Sequence, residues 1–264
     1  MSFVSLKASE SGFVAPGPDS FNLPPVFTVG GVGVTKPMLL LVLAGLVVFG
    51  FFFAASRKRA MVPGKLQFAG ETMYSSVRNG LGRDIIGSKD FRPFVPYLVT
   101  LFFFILLNNW WGSIPFIQFP TFSRVSMAYA LAGLSWVIYN AVGVRRHGFL
   151  GYLKLQCVPG GVTGPILALL VPLEFMSNLV IRPVTLSLRL FANMFAGHIL
   201  ALLFATGGEY LLLHASTAVK PVGILAWVMA IAIAFLELLV QFLQAYVFTL
   251  LNAMYISGAL ADEH

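Results

Sequence analysis

Polar and charged side chains stand where an apolar stretch should exclude them. Glu174, Asn178, Arg182, Thr185, Arg189, Asn193 and His198 fall within the mostly apolar residues 165–206. Glu237, Gln241, Gln244, Asn252 and Tyr255 fall within residues 222–258. In a hydrocarbon medium a charged side chain costs ~2.5–3.5 kcal/mol even on the lenient insertion scale, so such residues mark an ion or substrate path. Glu174, Asn178, Arg182, Thr185, Arg189 and Asn193 follow at spacings of four, four, three, four and four, which is one face of a helix. Glu237, Gln241 and Gln244 repeat the pattern at four and three. The plainer reading of such a stripe is interhelical hydrogen bonding. It weighs at least equally for Asn178, Thr185, Gln241 and Asn252, and much less for Arg189, because glue needs no permanent cation.

The residue types specify the chemistry. His198 and Glu237 exchange protons near neutral pH when partly buried. Arg189 keeps its proton at any accessible pH. Exchangeable groups with one fixed cation make a proton route with an electrostatic barrier. The cation holds a passing carboxylate ionised and blocks a direct leak. A lone membrane histidine is more often a packed, hydrogen-bonded residue, and what lifts His198 is its depth. In an antiparallel pair of helices, residues of equal index sum lie level. Arg189 with Gln244, His198 with Glu237, Asn193 with Gln241 and Arg182 with Asn252 sum to between 433 and 435, a spread of ~3 Å along a helix. His198 is nine residues from Arg189, half a turn around, so the two cannot face one partner. One face serves His198 and Glu237 while the other presents Arg189 to something outside the chain.

These residues must be positioned by membrane helices. Of 264 residues 58% are apolar and 10% charged, with a mean hydropathy of +0.86, against about 25% charged in a soluble domain. That excludes a soluble enzyme, a disordered tail and a disulfide-built secreted domain. The single cysteine, Cys157, forms neither an internal bridge nor a thiolate metal site. No Gly-rich phosphate loop or Ser/His/Asp set competes, and Gly30-Gly31 and Gly160-Gly161 read as turn glycines. No metal and no cofactor are implied.

The expected class is an all-α integral membrane protein with five crossings and one surface amphipathic helix. The crossings fall at about 37–56, 93–117, 125–144, 165–206 and 222–258, and the surface helix at about 66–88. The last two stretches would be ~63 and ~55 Å long against a core of ~30 Å. They are therefore expected to be steeply inclined and to form a hairpin. Residues 1–36 read as a weakly ordered extracytoplasmic segment without a signal-peptide core, and 37–264 as one polytopic domain. The formal charge of +7 reads as topology rather than nucleic-acid binding. Eleven of the 17 basic residues lie in 57–92 and 145–154, which puts the N-terminus outside and Asp262-Glu263-His264 in the cytoplasm.

At Ser187-Leu188-Arg189-Leu190-Phe191-Ala192-Asn193-Met194-Phe195-Ala196-Gly197-His198 the chain resembles subunit a of the F-type ATP synthase. The likeness extends to Arg182-Pro183, to Leu243-Gln244-Ala245-Tyr246 and to Tyr255, and covers about residues 37–260. It implies a stator subunit of a bacterial plasma membrane that catalyses no bond chemistry itself. Its implied partners are a c-subunit ring, peripheral stalk b subunits, the catalytic head through the complex, and membrane lipid. The family's essential arginine falls on Arg189, between two offset half-channels, its signature asparagine on Asn193, and the glutamine facing the arginine on Gln244. His198 and Glu237 stand where other branches carry an acid and a histidine, an exchanged pair lining the inlet half-channel. Glu174, Asn178, Arg182, Thr185, Gln241, Asn252 and Tyr255 are candidates for further lining.

The chain departs from the family at Ala192, commonly glycine. It also has Trp110-Trp111-Gly112-Ser113 and Ser123-Arg124-Val125-Ser126 where many members carry acids or amides at the outer mouth. Asn108, Asn109 and Ser126 are weak candidates there. A rival reading is a self-contained transporter with a buried Arg/Glu/His site. It predicts internal repeats and broken helices, and no repeat relates the two halves. A purely structural subunit predicts that replacing Arg189 alters assembly but not proton flux.

Overall fold

Apolar runs of this length fold as helices because every backbone polar group must be satisfied within the segment. The computed structural model describes residues 16–17, 26–29, 32–57, 62–114, 117, 119, 121–158 and 166–261. Lys7, Glu10, Gly30-Gly31, Gly160-Gly161 and Asp262-Glu263-His264 lie outside the described residues. The first elements are two short antiparallel strands, β1 (Phe27–Val29) and β2 (Val32–Val34), pairing Phe27 with Val34 and Val29 with Val32. The sequence suggested no element there. An alternation of apolar and small residues only three long is too short to register as a period.

The helices are α1 (Lys36–Arg57), α2 (Lys65–Val77), α3 (Val95–Trp110), α4 (Val125–Cys157), α5 (Leu167–Phe175), α6 (Arg182–His214) and α7 (Lys220–Leu260). π-helical turns at Arg78–Ile86 extend α2, and others at Met176–Ile181 join α5 to α6. Among the described residues five helices are long and apolar enough to cross a membrane: Lys36–Arg57, Arg92–Trp110, Val125–Cys157, Leu169–His214 and Lys220–Leu260. The chain is an all-α membrane protein apart from its short hairpin. α2 and its extension cover the expected surface helix, with Leu66, Phe68, Met73 and Tyr74 exposed and Val77 and Leu81 buried.

α7 has 41 residues, a rod of ~62 Å and about twice the hydrocarbon thickness. It packs along α6 as the hairpin expected. α6 runs on to His214, past the expected end near 206. Gly207-Gly208 look like a stop, yet they lie inside the helix, and at Gly208 the partner helix needs the room. A Cβ on Gly208 would stand 2.8 Å from Trp227 Cδ1, and one on Gly223 would stand 2.9 Å from Leu212 Cγ. α3 is the most enclosed span among the described residues, with 50% of its most apolar window buried against 11–33% for the others. It ends at Trp110, short of 117, where Gly112 N donates to the Asn109 carbonyl and Ser113 N to that of Trp110 in a turn. Fully buried Leu98, Ile105, Leu186, Leu190, Met194 and Phe248 join α3, α6 and α7.

α4 also outruns expectation. The sequence ends the third span at 144, before Arg145-Arg146-His147, but the helix carries on and bends at Gly148, whose φ is 73° and ψ 166°. That backbone region is essentially closed to residues with a Cβ. The bend folds Tyr152 back onto Gly143, where a Cβ would collide with the Tyr152 ring. Gly143→Ala is expected to destabilise the subunit by about 1–3 kcal/mol through overpacking. The measurement is the thermal unfolding midpoint of the detergent-solubilised complex, and an unchanged midpoint would show that Tyr152 can move aside freely.

Candidate functional site

On α6 the buried residues Leu186, Leu190 and Met194 recur every fourth position and face the core. The opposite face carries exposed Thr185, Leu188, Arg189, Ala192, Ala196 and Leu200. Arg189 therefore points away from the chain. Among the described residues it makes no hydrogen bond or ion pair.

Toward the loop between α6 and α7, three polar residues of the two helices come together. Glu237 is 8% exposed, and its Oε1 lies 4.0 Å from His198 Nδ1. Gly197 lies against the acid, and a Cβ there would stand 3.5 Å from Glu237 Cγ, in ordinary contact with it. Gln241 Nε2 donates to Glu237 Oε1 at 3.2 Å. Gln241 is also held by α3 and the turn that follows it: Ser113 Oγ donates to its Oε1 at 3.1 Å, and Asn109 Nδ2 donates to its backbone carbonyl at 3.1 Å.

One turn further along, Asn193 Nδ2 donates to Gln244 Oε1 at 2.7 Å. The index sums placed Asn193 beside Gln241, Arg189 beside Gln244 and Arg182 beside Asn252. The structure pairs Asn193 with Gln244, and sets Arg182 Cζ 5.2 Å from the centre of the Tyr255 ring. In both cases the α7 partner is three residues beyond the expected one. The cause is α3, which claims Gln241 through Asn109 and Ser113, and Asn252 through Tyr97. The Tyr97 hydroxyl lies 3.2 Å from Asn252 Oδ1 and 3.1 Å from Ser135 Oγ. Only the His198–Glu237 pair meets at the expected sum.

The far end of the polar stripe turns a different way. Pro183 has no N–H, so the carbonyl of Leu179 four residues earlier loses its helical donor. Trp136 Nε1 on α4 supplies the hydrogen bond at 3.0 Å, and the chain winds as π-helix over Met176–Ile181. The wider turns rotate the residues before Pro183 relative to those after it. Asn178 is consequently buried, donating to the Gln156 carbonyl at 2.7 Å and to Glu174 Oε2 at 3.1 Å, while Arg189 is exposed. The six-residue stripe is not one face. Arg182 and Tyr255 add a further group with Tyr139, whose ring centre is 5.3 Å from that of Tyr255.

The structure thus gathers His198, Glu237 and Gln241 at one end, Asn193 and Gln244 in the middle, and Glu174, Asn178, Arg182 and Tyr255 at the other. Thr185 bonds its own backbone at Ile181, and Asn252 ties α7 to α3. Sequence reasoning missed Ser113, Tyr97 and Gly197, and ranked Asn109 low. The available signal was that Asn109 and Ser113 are four apart at the polar end of an apolar span, one above the other on a helix. Asn108 Oδ1, Asn109 Oδ1, Thr121 Oγ1 and Ser123 Oγ are buried near the same connection with no partner among the described residues.

Comparison with known proteins bears on the whole chain. The ATP synthase subunit a of a Nocardioides species is 68% identical over 97% of this chain and 96% of its own length. That of Pseudarthrobacter chlorophenolicus is 50% identical over 99% of both chains, and that of Streptomyces lividans 42% identical over 96% of this chain and 90% of its own. The profile of the ATP synthase A chain family matches residues 38–257. With five apolar helices and relatives of this name along nearly its full length, the chain belongs to the ATP synthase subunit a family.

Proposed function

We propose that this chain carries protons through two offset half-channels at an interface with a c-subunit ring, coupling their flow to rotation and to ATP synthesis or hydrolysis. The observation that carries the reading is Arg189, exposed on a face otherwise made of small and apolar residues. A fixed cation on such a surface costs ~2.5–3.5 kcal/mol unless an anion answers it from outside the chain. A carboxylate on a passing ring subunit is that anion.

The inlet half-channel runs through His198 and Glu237, and the outlet through Glu174, Asn178, Arg182 and Tyr255. Asn193 and Gln244 brace the helices beside the arginine. Glu237 and Tyr255 are 18 residues apart on α7, or ~27 Å. Leu190, Met194 and Phe248, each 0% exposed, pack between these levels. A proton that enters at one end therefore leaves the chain, rides on the ring, and returns at the other. A self-contained transporter would gather Arg189 with Glu237 and His198 in one buried site, and the exposure of Arg189 argues against it. The charge asymmetry supports an outside N-terminus and a cytoplasmic C-terminus. Peripheral stalk b subunits and the catalytic head are the other expected partners, with lipid covering the remaining apolar faces.

The test is crosslinking. Cysteines placed singly at Ala192 and Ala196, on the face of Arg189, are expected to form disulfides with cysteines scanned along the outer helix of the ring subunit. A cysteine at Leu46, exposed on α1, serves as the control. Crosslinks at Leu46 and none at Ala192 or Ala196 would refute the placement of the ring.

A further inference from the structure

Gln241 is 0% exposed, yet both ends of its amide are occupied. An amide oxygen only accepts and an amide NH2 only donates, so the directions are fixed. Ser113 must give its hydroxyl proton to Oε1, and Glu237 Oε1 must accept from Nε2. The amide neither gains nor loses a proton at accessible pH, so Gln241 is no relay. Its backbone is anchored as well, by Asn109 Nδ2 on the carbonyl. Two residues at the end of α3 thus hold Gln241, and Gln241 holds the carboxylate that stands 4.0 Å from His198 Nδ1.

We infer that Gln241 is the positioning residue that aims Glu237 at His198, with Ser113 and Asn109 as its anchors; the inference rests on the inlet reading of His198 and Glu237. It also gives the mouth of the inlet a location. Ser113 is exposed, and from its hydroxyl a continuous line of hydrogen bonds leads through buried Gln241 to Glu237. The groups facing Glu237 are His198 from α6, Gln241 from α7 itself, and through it the neutral Ser113 and Asn109 of the α3 end. Lys36 of α1 is committed to the Ile117 carbonyl at 2.7 Å.

The test uses the whole complex in membrane vesicles, with ATP synthesis driven by imposed gradients while outside and inside pH are varied separately. Gln241→Leu is expected to lower the maximal rate roughly tenfold and to move the outside-pH midpoint, with the inside-pH dependence unchanged. Ser113→Ala is expected to move the outside midpoint the same way by less, and Ser113→Thr, which keeps the hydroxyl, to bring it back toward the parent. A merely structural defect would move neither profile, or both alike, and either result in assembled complexes overturns the proposal. If Gln241→Leu fails to assemble, the two Ser113 variants decide by the same criterion. Arg189→Ala run alongside separates the two levels. Normal synthesis in that variant sinks the whole proton-path reading. An inactive Arg189→Ala beside an unaltered Gln241→Leu sinks the positioning role alone.

Discussion

Membranes carrying Arg189→Ala are expected to assemble the complex, to lose ATP-driven proton pumping by roughly 100-fold or more, and to leak protons passively. The loss follows from position. Arg189 has no side-chain partner among the described residues and sits on an exposed face, between His198 and Arg182 along α6. A preorganised charge of this kind contributes about 100- to 1000-fold where it meets charge that moves. Without it, a ring carboxylate can pass the gap still protonated, so rotation no longer requires the proton to leave. On the proposed proton path the leak has the same origin, because there the fixed cation is the barrier between the half-channels. Assembly should survive, since the helix–helix contacts of α6 run through Leu186, Leu190 and Met194 on the opposite face. Arg189→Lys should recover little. A compact ammonium keeps the charge but loses the planar fork that meets a carboxylate in two places. The checks are proton pumping and passive leak in inverted vesicles, with subunit content measured on the same membranes. Normal pumping by Arg189→Ala would return the chain to the scaffold reading.

The parts of this molecule that were legible in the sequence are those fixed by local composition. Long apolar runs marked the crossings, and the run from Ser187 to His198 pointed to the family whose profile matches residues 38–257. What was not legible depends on a partner element. Gly208 stays inside the helix with Trp227 and Ala226 of α7 packed against it, a close approach that no local rule contains. α4 runs through Arg145-Arg146-His147 to a bend at Gly148, whose φ is 73°, and Gly143 receives Tyr152. The polar stripe looked continuous from Glu174 to Asn193 because a regular helix was assumed. Pro183 gave the warning, but its consequence required Trp136 from another helix to stabilise the π-helical turns. The pairing of Asn193 with Gln244 rather than Gln241 likewise depended on α3.

Exchanging the two residues of the inlet pair is expected to separate their roles from their identities. His198→Glu alone places two carboxyl groups about 4 Å apart, which cannot both ionise there. Glu237→His alone leaves two imidazoles and no acid. Each single variant is expected to lower pumping roughly 100-fold, the scale of losing a positioned proton-transfer group. The double variant restores one acid and one imidazole at the same depth and is expected to recover to within about tenfold of the parent. Residues in contact couple non-additively, so such recovery measures an interaction rather than two separate effects. The recovery should be incomplete for a reason visible in the geometry. Gln241 Nε2 donates to a carboxylate oxygen that an imidazole would replace with a ring nitrogen in a different place. A double variant no better than the worse single would mean that His198 and Glu237 act apart despite the 4.0 Å between them. His198 would then be a packing residue, and the inlet would reach Glu237 from the side of Ser113 and Gln241 alone.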